Sequence, residues 1–162
     1  MYKRLWLKLT FLLGAICFVA PCWANHNYLI IIDKGKRTLT LLDGSNVVSH
    51  TSVSLGRNPI GHKIKEGDNR TPEGKYYVAI KKPNSRFRKS LILSYPNKQD
   101  IENAKSRGVN PGSGICIHGE SNRFSFFRKA RNWTRGCIAV KNKVIDELYN
   151  LVNVGTPVII KP

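Results

Sequence analysis

The chain has 162 residues, with 27 Lys and Arg against 10 Asp and Glu, for a formal net charge of +17. That length suits one domain around a single core. Four cysteines, two of them within the first 22 residues, exclude a scaffold held together by disulfides.

Residues 1–24 begin with Lys3, Arg4 and Lys8, and continue into an apolar run from Leu9 to Ala20. Pro21 follows, and Cys22-Trp23-Ala24 places small residues three and one positions before a cut. This is the layout of a secretory signal peptide cleaved after Ala24, leaving residues 25–162 as the mature domain. The apolar core is short for a spanning helix, which needs about 20 residues. An uncleaved anchor is the alternative. Ile16 before Cys17 and Pro21 before Cys22 disfavour lipidation. Removing the leader takes away three basic and no acidic residues, so the charge falls from +17 to +14. Such a surface suits a polyanionic neighbour: nucleic acid, anionic lipid or a carboxylate-rich wall polymer. Export argues against nucleic acid, and a merely solvated basic surface remains open.

The first half reads as strands. Residues 28–32 are an apolar run, and residues 37–42 alternate with period two. Asp43-Gly44-Ser45-Asn46 supplies a hairpin turn, and residues 47–55 run back. Residues 56–74, rich in Gly, Asn, Pro and charge, form a long loop. Strands follow at 75–80 and 90–94. Residues 97–107 form a polar surface helix stopped by Gly108. A second helix opens near Asn142 as N-cap, with Val144, Ile145, Leu148, Leu151 and Val152 as one buried stripe. Gly155-Thr156-Pro157 ends it, and residues 158–160 close the chain as a strand. The expected fold is a single, mostly β domain with one or two helices packed on it.

Chemistry concentrates in Ile117-His118-Gly119-Glu120 and Trp133-Thr134-Arg135-Gly136-Cys137-Ile138-Ala139-Val140. A strand at 115–117 delivers His118 to its end, and Gly136 leaves room for a carbonyl to approach the Cys137 sulfur. An imidazole within hydrogen-bond reach would activate that thiol. A core histidine beside an unrelated thiol is the bland reading of the same residues. No further Cys or His falls in ligand spacing, with His26, His50 and His62 scattered elsewhere, so no metal is expected. Cys116 shares the face of His118 if both lie on a strand. It reads as a buried small hydrophobe, with a Cys116–Cys137 disulfide as the alternative. Between the two blocks, Arg123 to Trp133 is basic and aromatic, either a groove wall or core packing.

Three separated blocks together resemble the L,D-transpeptidases of the YkuD type. They are Gly56-Arg57-Asn58-Pro59 with Lys65 to Tyr76; Tyr95-Pro96-Asn97 through Gly108 to Gly119; and Trp133 to Val140. The resemblance implies a β-sandwich-like catalytic domain, an exported location in the periplasm or cell wall, and peptidoglycan stem peptides as substrate. It implies Cys137 as nucleophile, carrying the acyl group as a thioester cleaved after the third stem residue, and His118 as general base and later acid. Thr134, where the family often has serine, and Gly136 would shape the oxyanion and substrate pocket, with Arg135 beside them. No metal or organic cofactor is implied. The acyl acceptor would be an amine, on another stem or on a wall-anchored protein, or else water. One departure concerns substrate carboxylate binding: many members carry arginine two residues after the nucleophile, where this chain has Ala139. A non-catalytic, basic wall-binding module is the reading from another class.

Overall fold

The computed structural model describes residues 26–120 and 132–162. The expected leader, and Arg123 to Arg131 of the basic aromatic segment, lie outside the described residues. Ten elements follow one another: β1 (Tyr28–Asp33), β2 (Thr38–Asp43), β3 (Asn46–Ser52), β4 (Gly74–Ser85), β5 (Arg88–Leu93), α1 (Lys98–Ser106), β6 (Cys116–His118), β7 (Ile138–Ala139), α2 (Asn142–Leu151) and β8 (Pro157–Lys161). Eight strands form one curled mixed sheet in the order β3-β2-β1-β8-β4-β5-β6-β7. The expected class, mostly β with one or two helices, is what the chain adopts, with two.

Alternation builds the core. Ile30 and Ile32 on β1, Leu39 and Leu41 on β2, and Val158 and Ile160 on β8 all point inward and are buried. Burying each such side chain contributes roughly 1.5–3 kcal/mol. β4 is the bend of the sheet: its residues 74–77 pair with β8, whereas Val78 onward pairs with β5 through register shifts at Val78/Ile80 and Lys82/Ser85. It therefore runs five residues past the expected end at Ile80. The turn into β5 has no Gly, Asn or Asp to mark it; Arg88 itself takes a positive φ of 71° there.

The strand expected to continue to Leu55 stops at Ser52, and the chain crosses to the far edge of the sheet. Ser54 and Ala139 exchange two hydrogen bonds at 2.8 and 2.9 Å, Thr134 N–H donates to Leu55 O, and Arg57 N–H donates to Thr134 O. The two ends of the curled sheet are thus joined by backbone.

Both helices depart from expectation in a detail. α1 carries a full capping box: the Asn97 side chain accepts from Asp100 N–H, and the Asp100 carboxylate accepts from Asn97 N–H. Asp100 is buried, so this polar helix is anchored by an acid that also accepts from Tyr76 O–H and pairs with His62 Nε2 at 3.1 Å. Asn142 is not the N-cap of α2. Lys141 holds that position without a side-chain bond, and Asn142 Oδ1 instead accepts from Glu120 N–H at 2.9 Å. The apolar stripe of α2 lies as expected, with Ile145, Leu148 and Val152 fully buried.

Residues 57–73 have no regular structure but are tightly organised by two buried lysines. Lys34 Nζ donates to Gly61 O, Thr71 O and Glu73 Oε1 at 2.6–2.9 Å. Lys63 Nζ donates to Asp68 Oδ1 at 2.8 Å, and Asp68 also accepts from the N–H groups of Ile64, Lys65 and Arg70. Burial opposes the Asp68 charge, but the Lys63 bond and the three N–H donors outweigh it and hold the carboxyl at about 2. A carboxyl lowered on folding stabilises the protein above its unfolded pKa and loses that contribution as pH falls through the folded value. Asp68→Asn should therefore cost about 2 kcal/mol in urea unfolding at pH 7. The deficit relative to wild type should shrink between pH 4 and pH 2; a pH-independent deficit would contradict this charge network.

Candidate active site

The joined edges of the sheet bring the expected residues together. β6 and β7 run parallel, with Ile117 opposite Ile138 and His118 opposite Ala139, and Val140 N–H donates to His118 O. Cys137 stands immediately before β7, on a turn built by Thr134. Thr134 Oγ1 donates to Cys137 O at 2.6 Å and accepts from Gly136 N–H at 3.1 Å. Gly136 has φ of 129°, and a Cβ there would lie 2.6 Å from Arg70 O. A Cβ on Gly56 would lie 2.1 Å from Asn69 O, with the Gly136 Cα 3.1 Å away. Three backbone segments therefore touch beneath the cysteine turn: Gly56, Asn69-Arg70 and Gly136. That contact explains why the long loop sits where it does. It is the platform of the turn.

His118 is buried, and its Nδ1 lies 2.7 Å from Gly119 O. A carbonyl can only accept, so Nδ1 carries the proton and Nε2 is left for the thiol side. Phe87 stacks on the imidazole with centroids 4.5 Å apart, and Trp133 meets it edge-on at 5.6 Å. Phe87 O accepts from Gly119 N–H at 3.0 Å, so the β4–β5 turn fixes both the ring and the residue after it. Phe87 was not foreseen, because its turn carries no sequence signal.

Cys116 is closer to the chemistry than a buried hydrophobe would be. Its thiol donates to the Cys137 sulfur, Sγ to Sγ 3.6 Å, and one donor atom from each of Cys116, His118 and Cys137 lies within 4.8 Å of the others. Both cysteines are free thiols. The Cys116 bond, then the hydrogen bond and charge of His118, pull Cys137 well below the usual thiol range against the opposing effect of burial. The shared proton and burial push Cys116 the other way. Arg135 is exposed beside the turn, whereas Ala139 is buried between β6 and Ser54.

The YkuD family, described as the L,D-transpeptidase catalytic domain, matches residues 27–160. The chain belongs to this family. It is 32% identical over 129 residues to an Escherichia coli K12 protein named Putative L,D-transpeptidase YafK, covering 76% of this chain and 46% of that protein. It is 26% identical to Bacillus subtilis Putative L,D-transpeptidase YqjB, over 93% of this chain and 84% of the relative. Among solved structures it is similar to the helical cell shape determining protein Pgp2 of Campylobacter jejuni, with TM-score 0.68 and 26% identity, covering 85% of this chain and 48% of the other. An L,D-transpeptidase from Mycobacterium smegmatis shares the fold at TM-score 0.58 and 17% identity, over 85% of this chain and 59% of that one. The chain thus spans about half the length of YafK and Pgp2. Among the described residues, no helix is long and apolar enough to cross a membrane.

The opposite displacement of the two thiols sets a clear labelling order. Iodoacetamide at pH 6 should alkylate Cys137 of the reduced protein and leave Cys116 unmodified, as read by peptide mass spectrometry. Equal labelling, or labelling of Cys116 first, would contradict the assignment of the shared proton.

Proposed function

We propose that the chain is an exported cysteine acyltransferase acting on peptidoglycan stem peptides, with residues 25–162 as its catalytic domain and Cys137 as its nucleophile. The observation that carries this reading is the Cys137 sulfur, which accepts the Cys116 thiol proton and lies within 4.8 Å of a His118 ring nitrogen, on a turn whose backbone is packed against Gly56 and Asn69-Arg70. Family membership supplies the substrate class.

In the first half-reaction the Cys137 thiolate attacks the carbonyl of the third stem residue, and His118 Nε2 holds the proton. The C–N bond breaks, His118 gives that proton to the departing amine of the terminal residue, and a thioester remains on Cys137. In the second, an acceptor amine attacks the thioester, His118 takes its proton, and the C–S bond breaks to restore the thiolate. The amine belongs to another stem or to a wall-anchored protein; water in its place would make the product a free carboxylate. Thr134 and Gly136 serve by holding the turn, since their polar groups already bond within it. Arg135 is the exposed cation of the turn and takes the substrate carboxylate, a task the buried Ala139 position leaves unfilled. The mature charge of +14 concentrates the enzyme on the anionic wall. No cofactor enters these steps.

Incubation with tetrapeptide muropeptides, followed by mass spectrometry of the products, tests the reading and separates crosslinks from hydrolysis. Wild type should convert them. Cys137→Ala should be inactive with an unchanged melting temperature, and His118→Gln should lose at least about a hundredfold in rate. Activity retained in Cys137→Ala would remove the thioester mechanism. Complete inactivity of the folded wild type would favour a wall-binding module.

A further inference from the structure

We propose that Cys116, His118 and Cys137 form a chelating site for a thiophilic divalent cation of the Zn2+ type, and that its occupancy silences Cys137. Two donors come from β6 and the third from the turn that enters its parallel neighbour β7. Cys116 and His118 share one face of β6, and Cys137 stands at the entry to β7 beside them. Their donor atoms lie within 4.8 Å of one another, and the two sulfurs are 3.6 Å apart. Two thiolates bound to one tetrahedral ion at about 2.3 Å each stand about 3.8 Å from one another, so the pair needs almost no movement.

The imidazole is set up in the same sense. Its Nδ1–H is held by Gly119 O at 2.7 Å, the outer-sphere bond that ligating histidines ordinarily make, and Nε2 is left as the donor. Phe87 and Trp133 pack against the ring and keep it in that orientation. Two sulfurs and one nitrogen with no carboxylate form a set that selects Zn2+ over Mg2+ or Ca2+. The fourth position falls to water. Sequence spacing hid the site because the third donor arrives nineteen residues after His118, across a strand pair.

A bound ion would occupy the sulfur lone pair that attacks and the nitrogen that takes the proton. Cys116 is the residue that turns a lone reactive thiol into a chelate. The silencing rests on the proposed role of Cys137; the binding does not.

The test uses the full chain in a phosphine reductant, with Co2+ and Zn2+ as the probes. One equivalent of Co2+ should give near-ultraviolet thiolate-to-metal bands and the visible bands of tetrahedral coordination, and Zn2+ should displace it. Cys116→Ser should weaken Zn2+ binding by at least about tenfold, since losing even an outer-sphere partner costs that much. In the wild type, one equivalent of Zn2+ should slow iodoacetamide alkylation of Cys137 at least tenfold, with recovery on adding EDTA; this arm needs no variant. Co2+ uptake without thiolate bands, unchanged Zn2+ affinity in Cys116→Ser, or alkylation indifferent to Zn2+ would each overturn the site. Metal-free protein that binds Zn2+ in this way yet leaves muropeptides untouched would overturn the proposed function alone.

Discussion

Everything at the candidate site depends on one backbone seam, where the chain leaving β3 is stitched to the segment that leads into β7. The hydrogen bonds between Ser54 and Ala139, and those linking Leu55 and Arg57 to Thr134, close the curled sheet on itself. β7 has only two residues and would be a poor strand alone. Flanked by β6 on one side and the crossing segment on the other, it has partners along both edges, and Cys137 inherits that rigidity. The seam can form only because Gly56 and Gly136 let Asn69-Arg70 approach to distances that no Cβ would permit.

Charge is handled by the same economy of partners. The two lysines buried under the long loop, Lys34 and Lys63, each meet a carboxylate and at least one backbone carbonyl. Asp100 does likewise for α1, Tyr76 and His62. Among the described residues, every buried side-chain nitrogen or oxygen has a hydrogen-bond partner. At the site the pattern changes: one thiol donates to the other, and one sulfur is driven toward its charged form while its neighbour is driven away from it. A polar cluster whose protons are shared in this way suits chemistry better than support.

Much of this was legible in the chain. Period-two alternation located β2, an apolar run located β1, β8 was placed after the break at Gly155-Thr156-Pro157, Gly44 marked the β2–β3 turn, and the stripe of α2 lay where its spacing put it. Local cues, a strand end and a flanking glycine, singled out His118 and Cys137 but left a core histidine beside an unrelated thiol open, and the family resemblance supplied the pairing. What escaped was what local cues cannot encode. The β4–β5 turn uses Arg88 at positive φ in place of a glycine, so Phe87 and its stacking on His118 gave no signal. Asn142 looked like a cap but is recruited across the fold by Glu120 N–H. Cys116 looked like a small apolar residue because its neighbour Cys137 lies on the turn that enters another strand. In each case a tertiary contact overrides a local preference.

The central claim, that Cys137 carries the acyl group, is tested most directly by trapping the intermediate. Purified protein mixed briefly with tetrapeptide stem and quenched in acid should gain the mass of the stem less that of the free terminal amino acid it releases, located on the Cys137 peptide and released by neutral hydroxylamine as a thioester must be. Product formation with no such adduct, or an adduct on any other residue, would contradict the account.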